Sequence, residues 1–314
     1  MVWRLPEGAG RGQRRAFMHW IAASLLSAFF LGWYELSTKH AVRENAVLPV
    51  LFLTTLCSAS IWLSVMAAAA ILPNVPVSLR VDSLTGFQHL QIALKSLIIV
   101  GAWTCSYFAL KHLPLTLASP IRATGPVWTL LGALVVLAER PSWLEALGVV
   151  ITLGAFFGLS AVGAREGIHF QRNRWIWFLI AGTLLNATSA LYDKYLLGRL
   201  GFTAATVQAW FSIYLTLLFL PLAVGWKLRW WTRHEFHWRV SILLMSFTLL
   251  AADFVYFRAL ADPEALISLV SSFRRGSTLV AFAGGVLLFG EQNWRQKLPA
   301  VIGVLIGIIL TVVG

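Results

Sequence analysis

The residues that could do chemistry here are charges placed where charge is costly. Long apolar stretches of the chain contain Glu35, Lys39, Lys95, Arg122, Asp193, Lys194, Asp253, Arg258, Arg274 and Arg275. An ionised side chain in hydrocarbon costs roughly 2.5–3.5 kcal/mol by insertion scales, so it faces a partner or a wet cavity. Basic groups outnumber acidic ones in this set, which suits binding of an anion.

Arg122 and Arg274 form the sharpest pair. Each sits well inside its apolar segment (115 to 122, 264 to 274), roughly 10–15 Å from the nearer end at ~1.5 Å per residue. Snorkelling to the interface is strained at that depth. Two guanidinium groups facing one cavity would hold a carboxylate, phosphate or sulfate bidentately. Arg275 points about 100° further round the helix, toward an acid or the cavity edge. Lys39, Lys95 and Lys194 are expected as auxiliary substrate-binding charges. Glu35, Asp193 and Asp253 are expected as counter-charges or proton carriers, with structural pairing the plainer role for any one of them. Tyr34, Trp103, Tyr107, Tyr192 and Ser271 are expected to line the cavity. Small residues and prolines around the two arginines (Ser119, Pro120, Gly125, Pro126; Ser272, Gly276, Ser277) allow close helix approach or free backbone carbonyls for a cavity, although ordinary packing explains most of the serines.

Elements that could position these groups are helices in a bilayer. Of 314 residues, 58% are hydrophobic and 12% charged, against roughly a quarter charged in soluble domains. A net charge of +12 raises nucleic acid as a partner. That reading is excluded because the basic residues are scattered between apolar runs, where Lys, Arg and Trp meet lipid headgroups. Ten segments have the ~20 apolar residues that a span requires: Ala16–Thr38, Val47–Leu72, His89–Leu110, Leu115–Ala138, Trp143–Val162, Trp175–Leu197, Ala204–Trp226, Trp238–Leu260, Glu264–Phe289 and Gln296–Val313. No segment alternates as a strand would. Residues 1–15 form a basic tail ahead of an uncleaved first helix.

A repeat is visible. A shift of 152 residues lays Arg122 on Arg274 and Glu139 on Glu291. Upstream, the register is open: Lys39 meets Lys194 at 155, whereas Tyr34-Glu35 meets Tyr192-Asp193 at 158. The expected fold is therefore an all-α integral membrane protein of ten transmembrane helices in two five-helix repeats, 16–163 and 175–314, joined by a polar loop at 164–174. An odd helix number per repeat inverts the second copy, as in many secondary transporters. Glu139 and Glu291 close their helices and are expected to be structural, tied to neighbouring arginines or backbone amines. Cys57 and Cys105 read as packing residues, and His234 and His237 lack metal-site spacing. No cofactor or metal is expected. Loop charges point mildly to termini outside, while the basic tail points the other way.

Two copies of an apolar helix ending in Glu (Pro126 through Glu139, and Gly276 through Glu291), each followed by a Gly-containing helix (Gly148, Gly154, Gly158; Gly303, Gly307), resemble the EamA family of the drug/metabolite transporter superfamily. The resemblance implies ten helices in inverted repeats, alternating access, and cytoplasmic termini. It also implies a cavity lined by the first, third and fourth helices of each half. Arg274-Arg275 is similar to a basic pair in plastid sugar-phosphate translocators. The expected function is gradient- or exchange-driven transport of a small polar metabolite, anionic or zwitterionic, in a cell membrane of the bacterial inner-membrane type. Partners are the substrate and the bilayer, with a homo-oligomer allowed. The rival is an intramembrane enzyme or flippase acting on a lipid or polyprenyl phosphate.

Overall fold

The computed structural model describes residues 11–72, 76–125, 127–128, 142–230, 234–260 and 273–313. Ten α-helices occupy them: α1 Arg11–Val42, α2 Val47–Ile71, α3 Gly86–His112, α4 Leu115–Ala123, α5 Trp143–Arg165, α6 Arg174–Lys194, α7 Ala204–Lys227, α8 Val240–Leu260, α9 Ser277–Phe289 and α10 Trp294–Val313. Among the described residues there is no strand. Five helices are long and apolar enough to cross a membrane: α2, α3, α5, α6 continued to Leu197, and α7; Val240–Tyr256 and Ser277–Phe289 add shorter apolar helices.

Local chemistry sets several boundaries. Capping boxes start α3 (Thr85 with Gln88) and α5 (Ser142 with Glu145), and Asn173 and Thr203 cap α6 and α7; each oxygen satisfies an amide that a helix start leaves unpaired. Gly290 ends α9 at φ +64°, a conformation that other residues reach only with strain. A π-helical turn, Tyr195–Arg199, follows α6.

Hydrogen bonds and close contacts fix which helices pair and in which direction. α8 runs antiparallel to α1, since Ser27 donates to the Ala252 carbonyl (2.7 Å) and His40 meets Ser241 (3.0 Å). α6 runs antiparallel to α3: Lys95 contacts Asp193, Gly182 packs on Ala102 and Ser106, and His112 stacks on Trp175 at 3.7 Å. α1 and α3 are parallel, with Tyr34 against Tyr107 and Lys39 against Leu110. α5 packs antiparallel on α10, Gly307 lying against Gly148 and Thr152 and Gly303 against Ala155. Small residues at these crossings bring backbones together, which drives helix association where lipid removes the hydrophobic difference. Large apolar side chains such as Leu63, Phe157, Phe247 and Leu287 are exposed on the outside. Buried hydroxyls including Ser96, Thr152 and Thr183 donate to carbonyls four residues earlier in their own helices, so few polar groups face the apolar surroundings unpaired.

Candidate functional site

Both helices that carry the key arginines are interrupted at them. α4 contains Pro120 and ends at Ala123, one residue beyond Arg122; its cap, Thr124, bonds back to Ile121. On the other side Arg274 precedes the turn at Arg275-Gly276, where Gly276 bonds to Phe273 and Thr278 to Arg275. The described parts of the apolar spans Leu115–Ala138 and Glu264–Phe289 therefore contain turns, at Thr124 and at Arg275-Gly276. Proline removes a donor within α4, and glycine favours a turn where α9 begins. Residues 129–141 and 261–272 lie outside the described residues.

Around these breaks the charged groups gather. Asp253 on α8 forms an ion pair with Arg274, whose guanidinium also lies over the Tyr256 ring, 4.4 Å from its centroid. Arg275 is close enough to Arg274, Tyr256, Glu35 and Arg122 to interact electrostatically with each. Glu35, buried on α1, accepts a hydrogen bond from the Ser119 hydroxyl at 2.5 Å. Tyr34, one residue earlier, shares a 2.5 Å hydrogen bond with Tyr107 and lies within electrostatic range of Arg122, Glu35 and Asp253. Trp103 stacks on Tyr107 with centroids 6.0 Å apart and meets the edge of Phe211. Lys95 lies over that phenylalanine ring at 4.4 Å. Its ammonium forms an ion pair with Asp193 Oδ1 at 2.5 Å. Thus Glu35, Asp253, Arg122, Arg274, Arg275, Tyr34 and Tyr107 share one neighbourhood, and Trp103 and Phe211 connect it to the Lys95–Asp193 pair.

Several guanidinium donors are left over. Arg122 Nη1, Arg274 Nε and Arg275 Nε are buried and have no hydrogen-bond partner among the described residues. A buried unmade hydrogen bond costs about 1–3 kcal/mol, more for a charged group. With all groups ionised, among the described residues three guanidinium groups here face two carboxylates, Glu35 and Asp253. The set therefore has both spare donors and an excess positive charge.

Several sequence-predicted residues lie elsewhere. Lys39 was expected among the substrate-binding charges, but its ammonium donates to the carbonyls of Leu110 (2.7 Å) and Leu113, at the C-terminal end of α3. A cation there satisfies carbonyls that a helix end leaves free. Tyr192 stacks on Tyr195 (5.8 Å) and lines an apolar cavity of about 520 Å³ with Phe87, Leu90 and Leu94, at the opposite end of α3 from Lys39. Ser271 and the side chains of Lys194 and Arg258 lie outside the described residues, as does Glu139.

Other contributors escape a sequence reading. Tyr256, beneath Arg274, carries no positional signal. Glu291, expected to be structural, accepts hydrogen bonds from the Leu115 and Thr116 amides (2.5 and 2.7 Å), so a carboxylate caps the start of the helix that carries Arg122. Lys297 stands at the start of the last apolar segment. It is fully buried, contacting Glu166 at 2.8 Å and the Thr116 hydroxyl at 2.9 Å.

Residues 18–161 match the EamA-like transporter family. No curated protein matches the sequence. A solved structure, described only as the crystal structure of a protein, is similar with a TM-score of 0.57 and 15% identity, over 90% of this chain and 95% of that one. At that identity the likeness speaks for the fold alone.

Proposed function

We propose, from the match of residues 18–161 to the EamA-like transporter family, that the protein is a secondary transporter for a small anionic or zwitterionic metabolite. The observation that carries the reading is the set of three guanidinium groups, each with one buried N–H that has no partner among the described residues, at the interruption of two helices. Arginine stays charged in proteins and presents a planar fork of donors that fits carboxylate and phosphate. Broken helices at mid-depth are how many transporters open backbone and side chains toward a ligand.

Alternating access supplies the mechanism. The directions of the helix pairs support inverted halves: α1 and α3 run together, while α6 and α8, their counterparts by the sequence repeat, each run against them. Swapping the halves exchanges the α1–α8 contact with the α3–α6 contact. At one end α1 and α3 are joined by the Tyr34–Tyr107 hydrogen bond and by Lys39 on the α3 carbonyls. Among the described residues, the corresponding α6 and α8 touch at most marginally. One end is closed and the other looser, an asymmetry that an exchange of roles between the halves would reverse. The anion would bridge Arg122 and Arg275, with Arg274 held in place by Asp253.

The test is uptake of labelled carboxylates, phosphate and amino acids into proteoliposomes containing the purified protein. Saturable, trans-stimulated uptake of an anion or zwitterion by the wild type, abolished in Arg122→Gln, is the expected result. Wild-type uptake by that variant, or turnover of a lipid phosphate without vectorial movement, would overturn the reading.

A further inference from the structure

A second cluster of cations lies at the end of the bundle where α1, α3 and α9 terminate. There a cavity of about 560 Å³ is lined by Lys39, Arg43, Lys111, His112, Glu44 and Glu291, among others. It is distinct from the Arg122 neighbourhood. Glu291 caps the start of α4 and Arg122 occupies its last turn, about 10 Å away along the helix axis at ~1.5 Å per residue, and the buried Tyr34–Tyr107 contact lies on the Arg122 side.

The cavity stays net positive: Lys39, Arg43 and Lys111 line it against two carboxylates, Glu44 and Glu291, the latter within electrostatic range of Lys39. Both oxygens of Glu291 accept backbone amides of α4. The Glu44 side chain is 82% exposed and only loosely paired with Arg43, at 3.8 Å. The cations retain donors. Lys39 uses two of its three N–H groups on α3 carbonyls, and Lys111 donates one, at 2.8 Å, to the Asn45 carbonyl. Arg43 is half exposed, its Nε reaching toward Glu44. Neighbouring Arg239 ties the Arg43 carbonyl to α8 (2.7 Å), so the rim is braced across helices.

We infer that this cavity is a second binding site, for a phosphate-type oxyanion, independent of the transport reading. Lys111 and Arg43 would supply the charge-assisted donors, with Lys39 behind them. The same chemistry serves a free phosphate or the headgroup of an anionic lipid, and the cavity's place at a bundle end admits either source.

The experiment uses the full chain carrying Arg122→Gln, so that binding at the arginine cluster does not contribute. Inorganic phosphate is titrated calorimetrically into the detergent-solubilised protein. In parallel, lipid retention is measured by native mass spectrometry after release from nanodiscs of phosphatidylcholine with or without phosphatidylglycerol. Saturable phosphate binding that weakens roughly tenfold or more with added Arg43→Gln and Lys111→Gln assigns the site to a free anion. Selective retention of phosphatidylglycerol, lost in the same variant, assigns it to a lipid headgroup. Absence of both, or insensitivity to the two substitutions, overturns the inference. Should that variant misfold, Glu44→Gln decides: removing the exposed carboxylate tightens binding if the site is real, and unchanged affinity rejects it. Loss of uptake in Arg122→Gln with this binding intact would separate the two sites.

Discussion

Replacing Arg122 by glutamine separates a ligand-binding group from a structural one. In the ligand-free protein its buried Nη1 has no hydrogen-bond partner among the described residues. Removing the guanidinium therefore removes an unmade buried hydrogen bond that costs about 1–3 kcal/mol. The folded state should be as stable as wild type or slightly more so. Binding should move the other way. A charge-assisted hydrogen bond to an anion contributes about 1.5–3 kcal/mol, which corresponds to a roughly 10- to 150-fold weaker Kd. The assay is thermal denaturation of the purified protein across a panel of small metabolites grouped by charge, because specific binding raises apparent stability. Wild type should respond to some anions or zwitterions but not to neutral or cationic compounds; Arg122→Gln should keep its ligand-free midpoint and lose that response. A variant that is clearly destabilised without ligand, yet binds anions as wild type does, would refute the reasoning, since the arginine would then be structural.

Glu291→Gln removes the carboxylate from the amides of Leu115 and Thr116 and should lower stability by about 1–2 kcal/mol, read from denaturant midpoints in detergent. Lys297→Met leaves Glu166 without its buried partner and should destabilise by about 3 kcal/mol, while adding Glu166→Gln should restore most of the loss; a double variant as weak as the single one would contradict the pairing. Gly182→Ala places a methyl group into Ser106 Oγ and 2.9 Å from the Ala102 carbonyl, so it should separate α3 from α6 and lower the denaturation midpoint. The same change at Gly154, where a Cβ meets nothing within 4 Å, should be nearly silent.

The pieces legible in the sequence were those encoded by type and spacing. Arginine at 122 and again at 274 pointed to the neighbourhood where the charged groups gather, because charge at that depth in an apolar run needs a reason and a repeated charge needs a shared one. Helix positions followed from apolar length. Orientation of individual charges was less accessible. Lys39 lies one helical turn after Glu35 and so shares its face, but the carbonyl acceptors at the end of α3 come from residues over 70 positions away. Nothing near position 297 announces that Lys297 will meet Glu166 across the bundle. The helix interruptions were harder still: Pro120 and Gly276 are visible, yet proline and glycine also occur within unbroken membrane helices, as Pro221 does in α7 and Gly303 in α10.

On the proposed transport function, the spare guanidinium donors hold the transported anion. A crystal structure with bound selenate, whose selenium scatters anomalously, tests it most directly. An anomalous peak within hydrogen-bond distance of Arg122 and Arg275, with Arg274 still on Asp253, is the predicted result. Full occupation of those same N–H groups by protein acceptors, with the oxyanion bound elsewhere, would contradict it.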